Sequence, residues 1–99
     1  MTNITATYGA NGYVLRSTGH AGTSQSCTAV SAIVQALAGW VHNHDGHISL
    51  QKGEAVIFFP EQDGAEAAMD MAVIGLLQVQ QAAPNDVSVS TVYQVPGKP

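Results

Sequence analysis

Gly19-His20-Ala21-Gly22-Thr23-Ser24-Gln25-Ser26-Cys27-Thr28-Ala29-Val30-Ser31-Ala32-Ile33-Val34 is the stretch in which the chain changes its period. Before it, Tyr13-Val14-Leu15-Arg16-Ser17 reads as a strand. From Cys27 onward, Val30, Ile33, Val34, Leu37 and Val41 recur at helical spacing and describe one apolar stripe. The small, polar run from Thr18 to Ser26 between them is expected to be a loop. Ser24 or Ser26 is a candidate N-cap, and Asn43 to Gly46 ends the helix.

On the N-terminal side, Thr2 to Tyr8 alternates as a strand, with Ile4, Ala6 and Tyr8 on one side and threonines on the other. Gly9-Ala10-Asn11-Gly12 joins it to the second strand as a hairpin. On the C-terminal side, His47 to Gln51 and Ala55 to Phe59 read as two strands joined at Lys52-Gly53-Glu54. Pro60 to Gly64 breaks the pattern, and a second helix runs from about Ala65 to Gln81. Met69, Ala72, Val73, Leu76 and Leu77 form its expected buried side. Pro84-Asn85 stops it, and Asp86 to Gln94 alternates as a last strand, with Val87, Val89, Thr91 and Tyr93 on one face. The order ββαββαβ predicts an α+β two-layer sandwich, with a mostly antiparallel sheet and both helices on one face. A single domain over residues 1–95 and a frayed tail at 96–99 are expected.

Ninety-nine residues suit one core, and 45% hydrophobic content is ordinary for a soluble fold. Only 10% of residues are charged, which suggests that some surface is covered by a partner or a second copy. The net charge is −4, with Arg16, Lys52 and Lys98 the only cations, and this argues against nucleic acid as a partner. One cysteine forms no internal disulfide, residues 1–8 do not read as a signal peptide, and no segment approaches the roughly eighteen apolar residues of a membrane span. A reducing cytoplasm is the simplest location.

The chemistry centres on His20 and Cys27, seven residues apart. A cysteine at the start of a helix faces the partial positive charge of unpaired N–H groups, which favours the thiolate. A nearby imidazole then serves as its base or ion-pair partner. The backbone N–H groups of Cys27 and Thr28 are candidates for stabilising an oxyanion. Ser31 lies one turn beyond Cys27 on the same helix face, and Gly19 and Gly22 give the His20 backbone unusual freedom. The competing readings are a small buried hydrophobe for Cys27, a turn residue for His20 and a hydroxyl bonded back to its own helix for Ser31.

These residues carry a family resemblance. Thr-Gly-His-Ala, a loop, and then Cys-Thr-Ala-Val-Ser-Ala-Ile resembles the Prp family of ribosomal-processing cysteine proteases, chiefly over Gly19 to Ala32. The resemblance implies that Cys27 is the nucleophile, His20 the catalytic histidine and Ser31 the motif serine, with Gly19 and Thr28 supporting them and no cofactor required. It further implies a homodimer that trims the N-terminal extension of a ribosomal protein, or of a virion protein in a phage homologue. The chain departs from the family at Gly22-Thr23-Ser24-Gln25-Ser26, where the loop is shorter and carries no acidic residue. A catalytically inactive dimeric module for binding or assembly is the rival expectation.

His42-Asn43-His44-Asp45-Gly46-His47 offers three histidines as candidate metal ligands. The preferred reading is a polar helix end, in which histidines complement the C-terminal dipole. Trp40 is expected at the edge of the core or in a dimer contact. Glu61, Asp63, Glu66 and Asp70 are expected as solvated charges that complement the second helix.

Overall fold

The alternating N-terminal run folds as β1 (Thr2–Tyr8), and Gly9-Ala10-Asn11-Gly12 turns the chain into β2 (Gly12–Gly19) with Tyr8 opposite Tyr13. The remaining elements are α1 (Ser24–His42), β3 (His47–Gln51), β4 (Glu54–Pro60), α2 (Ala65–Ala82) and β5 (Val87–Tyr93). The structure is a computed structural model that describes residues 1–20 and 23–94. Ala21, Gly22 and the expected tail at 96–99 lie outside the described residues.

The strands form one sheet in the order β3-β4-β2-β1-β5. Every neighbouring pair is antiparallel except β1 and β5, which run parallel from Thr2 opposite Val87 to Tyr8 opposite Tyr93. This is the mostly antiparallel α+β sandwich that the order of elements predicts.

The core lies between one sheet face and the two helices. Ile4, Ala6, Leu15, Ile57, Phe59 and Val87 from the sheet meet Val30, Val34, Leu37 and Val41 from α1. Ala65, Met69, Ala72, Val73 and Leu76 contribute the buried side of α2. Each large side chain removed from water contributes about 1.5–3 kcal/mol before ordering costs. The helices approach closely where Ile33 packs over Gly75: a Cβ added at Gly75 would stand 3.1 Å from Ile33 Cδ1. On the opposite face Asn3, Thr5 and Arg16 are exposed, and Arg16 Nη2 donates to Glu54 Oε2 at 2.7 Å. No helix among the described residues is long and apolar enough to cross a membrane.

Several local expectations change. β2 continues to Gly19, because Thr18 and Gly19 still find partners in Asn3 and Thr2 where a loop was expected. Leu77 is 39% exposed, and Ala65 takes its place in the buried stripe. One residue further around the helix than Leu76, Leu77 has rotated off the packed face. Thr2 lies on the same face as Ile4 and is buried, unlike Thr5. The largest change is at α1, which starts at Ser24 behind Thr23 as its N-cap.

Candidate active site

Three segments meet at the N-terminal end of α1. The first is the end of β2. Gly19 has φ +88°, and a Cβ there would collide with the Met1 carbonyl oxygen, so this position requires glycine. Its N–H donates to the Gly53 carbonyl at 2.9 Å, which ties the exit of β2 to the β3–β4 turn. His20 follows, exposed, with its Nε2 3.6 Å from where a Gly53 Cβ would stand.

The second segment is the first turn of α1. Thr23 is extended (φ −126°, ψ 155°), and its Oγ1 accepts from the Ser26 N–H at 3.2 Å. The Cys27 N–H donates to the Thr23 carbonyl at 3.0 Å. Cys27 is therefore the fourth residue of the helix and not its terminus, and Thr28 stands one residue deeper. This corrects the expected oxyanion donors: the Cys27 amide is held in the helix, and the amides that a first turn leaves without a helical acceptor precede it. The expected caps change with it, since Thr23 supplies the capping oxygen in place of Ser24 or Ser26.

The third segment, which the sequence reading missed, is Asp86 at the entry to β5. Its Oδ2 accepts from Ser26 Oγ at 3.1 Å and from Thr23 Oγ1 at 3.2 Å. Its carbonyl accepts the Thr2 N–H at 2.8 Å. A carboxylate at this end of α1 also complements the helix dipole. In the sequence Asp86 signals only a turn after Pro84-Asn85, because its partners lie 60 and 63 residues away.

An open cavity of about 220 Å³ lies between the end of β2, α1 from Cys27 onward, and the β3–β4 hairpin; Asp86 stands outside it. Gly19, His20, Cys27 and Ser31 all line it, with Leu50 and Gln51 from β3 and Gly53 and Glu54 from the turn and β4. Cys27 is half-buried and Ser31 exposed, and both belong to the helix wall of the cavity. Thr28 does not line this cavity; it borders a shallower depression on the outer side of α1, beside Cys27, Ser31 and Gln35. The arrangement holds a thiol, an imidazole and a hydroxyl around one space open to solvent.

The histidines at the other end of α1 do not gather into a site. His44 Nδ1 lies 2.7 Å from the Trp40 carbonyl, and its ring stacks on the indole at 3.8 Å. His47 begins β3, as its strand reading predicts, and stacks on Phe58, while His42 ends the helix. Their residues have separated into helix, turn and strand, so the candidate ligand set His42, His44 and His47 does not converge. No group of three His, Cys, Asp or Glu among the described residues is placed to hold a metal ion. Trp40 packs at the core edge against Phe59, with ring centroids 5.5 Å apart.

Two of the acids are more than solvated charges. Tyr8 donates its phenol proton to Asp70 Oδ1 at 2.7 Å, and Tyr13 donates to Glu61 Oε2 at 2.9 Å. Burial first, then the hydrogen bond to Glu61, pushes the Tyr13 phenol up to about 12. Burial and Asp70 raise the Tyr8 phenol further still.

No family model and no curated protein matches the chain by sequence. Solved structures match it in shape. SMU.848 from Streptococcus mutans is similar at a TM-score of 0.77 and 19% identity, covering 95% of this chain and 99% of that one. The ribosomal processing protease Prp from S. aureus, in complex with a covalently linked product peptide, is similar at a TM-score of 0.77 and 14% identity, covering 92% and 99%. The same protease with a substrate peptide gives a TM-score of 0.75 at 12% identity, again covering 92% and 99%. The fold is therefore Prp-like across nearly the whole chain.

Proposed function

We propose that this chain is a cysteine endopeptidase of the Prp kind, which trims an N-terminal extension from a ribosomal or virion protein. The observation that carries the reading is that His20 and Cys27 line one cavity, with Ser31 beside them. The Prp-like fold and the Gly19-to-Ala32 motif resemblance support it independently.

In this mechanism Cys27 Sγ, as thiolate, attacks the scissile carbonyl carbon, forming the S–C bond and an oxyanion. His20 takes up the thiol proton and delivers it to the departing amine as the C–N bond breaks. Water then attacks the thioester, giving a proton to His20, and the thiol and the new carboxyl terminus are released. Gly19 sets the backbone from which His20 projects, and Ser31 offers a hydroxyl one turn from the sulfur. The reading requires no cofactor, and its resemblance supports a cytoplasmic homodimer. Met71 and Ile74 on the outer side of α2 are exposed apolar surface available to a second copy.

The test is cleavage of a peptide carrying the N-terminal extension of a large-subunit ribosomal protein, followed by mass spectrometry. Cys27→Ser is expected to lower the rate by roughly 10⁴-fold or more while leaving the circular dichroism spectrum unchanged. Undiminished cleavage by Cys27→Ala ends the proposal.

A second reading, a non-catalytic binding or assembly module, is favoured by one observation: the Cys27 amide is held by Thr23 and is not presented to a ligand. Iodoacetamide separates the two. Alkylation of Cys27 that slows in His20→Ala supports the peptidase, and a rate indifferent to His20 supports the module.

A further inference from the structure

The two edges of the sheet are finished differently. On β5 the Val89 N–H donates to Gln80 Oε1 at 2.6 Å, so α2 blocks that edge with a side chain. On β3 no side chain among the described residues bonds to the main chain, and all five residues from His47 to Gln51 are exposed. Edge strands are usually blunted by charges, proline or a bulge. His47-Ile48-Ser49-Leu50-Gln51 contains neither proline nor an acidic, lysine or arginine side chain, and it pairs with β4 without a bulge.

This open edge leads into the cavity. Leu50 and Gln51, the last residues of β3, line it with His20 and Cys27. Ile48 and Leu50 stand opposite Ile57 and Ala55, on the α1 side of the sheet, yet are 37% and 52% exposed. We propose that the free edge of β3 receives the substrate polypeptide as an added strand. Main-chain hydrogen bonds hold the segment, and its alternate apolar side chains cover Ile48 and Leu50. At about 3.3 Å per residue, a strand continuing past Gln51 brings its next peptide group to the cavity mouth. The inference rests on the peptidase reading and deepens it: the substrate is an extended segment with apolar residues at every second position.

The test uses the Cys27→Ser chain and the pentapeptides Ac-Ser-Xaa-Thr-Xaa-Ser-NH₂, with Xaa as Val, Leu or Phe. Amide resonances are followed by NMR. The expected result is shifts and slowed exchange confined to His47–Gln51 and the cavity residues, lost when the two Xaa amides are N-methylated. Leu50→Lys is expected to weaken binding about tenfold, and Ser90→Lys on β5 to leave it unchanged. Shifts confined to β5, no shifts with any of the three peptides, or β3 shifts that arise without peptide as the chain self-associates would each overturn the proposal. Cleavage by the wild-type chain is measured separately. Binding at β3 without cleavage overturns the peptidase reading alone, and cleavage without β3 binding overturns the edge proposal alone.

Discussion

The two ends of α1 use the same kinds of side chain for different ends. Around its C-terminus the polar groups are tied to one another: Tyr8 to Asp70, Tyr13 to Glu61, His44 to the Trp40 carbonyl. Gln62 clasps Asp45 there with two hydrogen bonds, at 2.9 and 3.1 Å. Around its N-terminus Asp86 fastens the helix to β1 and β5, while His20 and Ser31 stay exposed at the rim of a cavity. The histidine-rich stretch, which looks the more reactive in sequence, is thus the structurally committed one. The lone histidine and cysteine occupy the open end. Clustering along the chain is a poorer guide to chemistry than the space into which side chains converge.

The contrast is sharpened most by removing Asp86. Asp86→Ala takes the acceptor from Thr23 and Ser26 and is expected to cost about 1–2 kcal/mol in urea unfolding. Peptide cleavage should fall at least tenfold, because the turn that carries Cys27 loses its anchor. Asp86→Asn keeps a carbonyl oxygen in place and should recover most of both. Equal activity in Asp86→Ala and the parent would separate this anchor from the site.

A smaller effect is expected at the opposite end. Tyr13→Phe deletes the bond to Glu61 and should cost about 1 kcal/mol, with cleavage unchanged. The pH dependence follows from the raised phenol. The folded chain keeps the Tyr13 proton up to about 12, whereas an unfolded tyrosine loses it near 10. This contribution is therefore complete below pH 10 and is lost as pH rises toward about 12. Unfolding midpoints at pH 9, 10, 11 and 12 should fall less steeply in Tyr13→Phe than in the parent. A parallel decline would remove Tyr13 from the account. The smallest effect belongs to neither end: Arg16 and Glu54 pair in solvent at 60% and 39% exposure, so Arg16→Ala should change stability by less than about 0.5 kcal/mol.

The sequence disclosed the elements because they rest on local periodicity. Val30, Val34, Leu37 and Val41 announce α1, and Ile4, Ala6 and Tyr8 announce β1, before any tertiary contact is known. The start of α1 was not legible in the same way. Thr23, Ser24 and Ser26 are all competent caps, and Thr23 is the one that sits with Ser26 against Asp86, far along the chain. The parallel pairing of β1 with β5 was hidden for the same reason, since strand order is set by long-range packing. In the sequence the acids show only as charges for solvent, because Tyr8 and Tyr13 lie 62 and 48 residues from Asp70 and Glu61. His20, Cys27 and Ser31 were visible as a motif; the contribution of β3 to their cavity was not.

The parallel pairing of β1 and β5 has a practical consequence for how this chain is handled. Because the two strands point the same way, Met1 emerges beside Gly19 at the cavity, whereas β5 finishes at Tyr93, stacked on Tyr8 at the far end of the sheet. A purification tag fused ahead of Met1 would crowd the cavity mouth and compete with any added peptide. A tag placed after β5 leaves from roughly a strand's length away, about 20 Å, and is the arrangement in which activity should be measured.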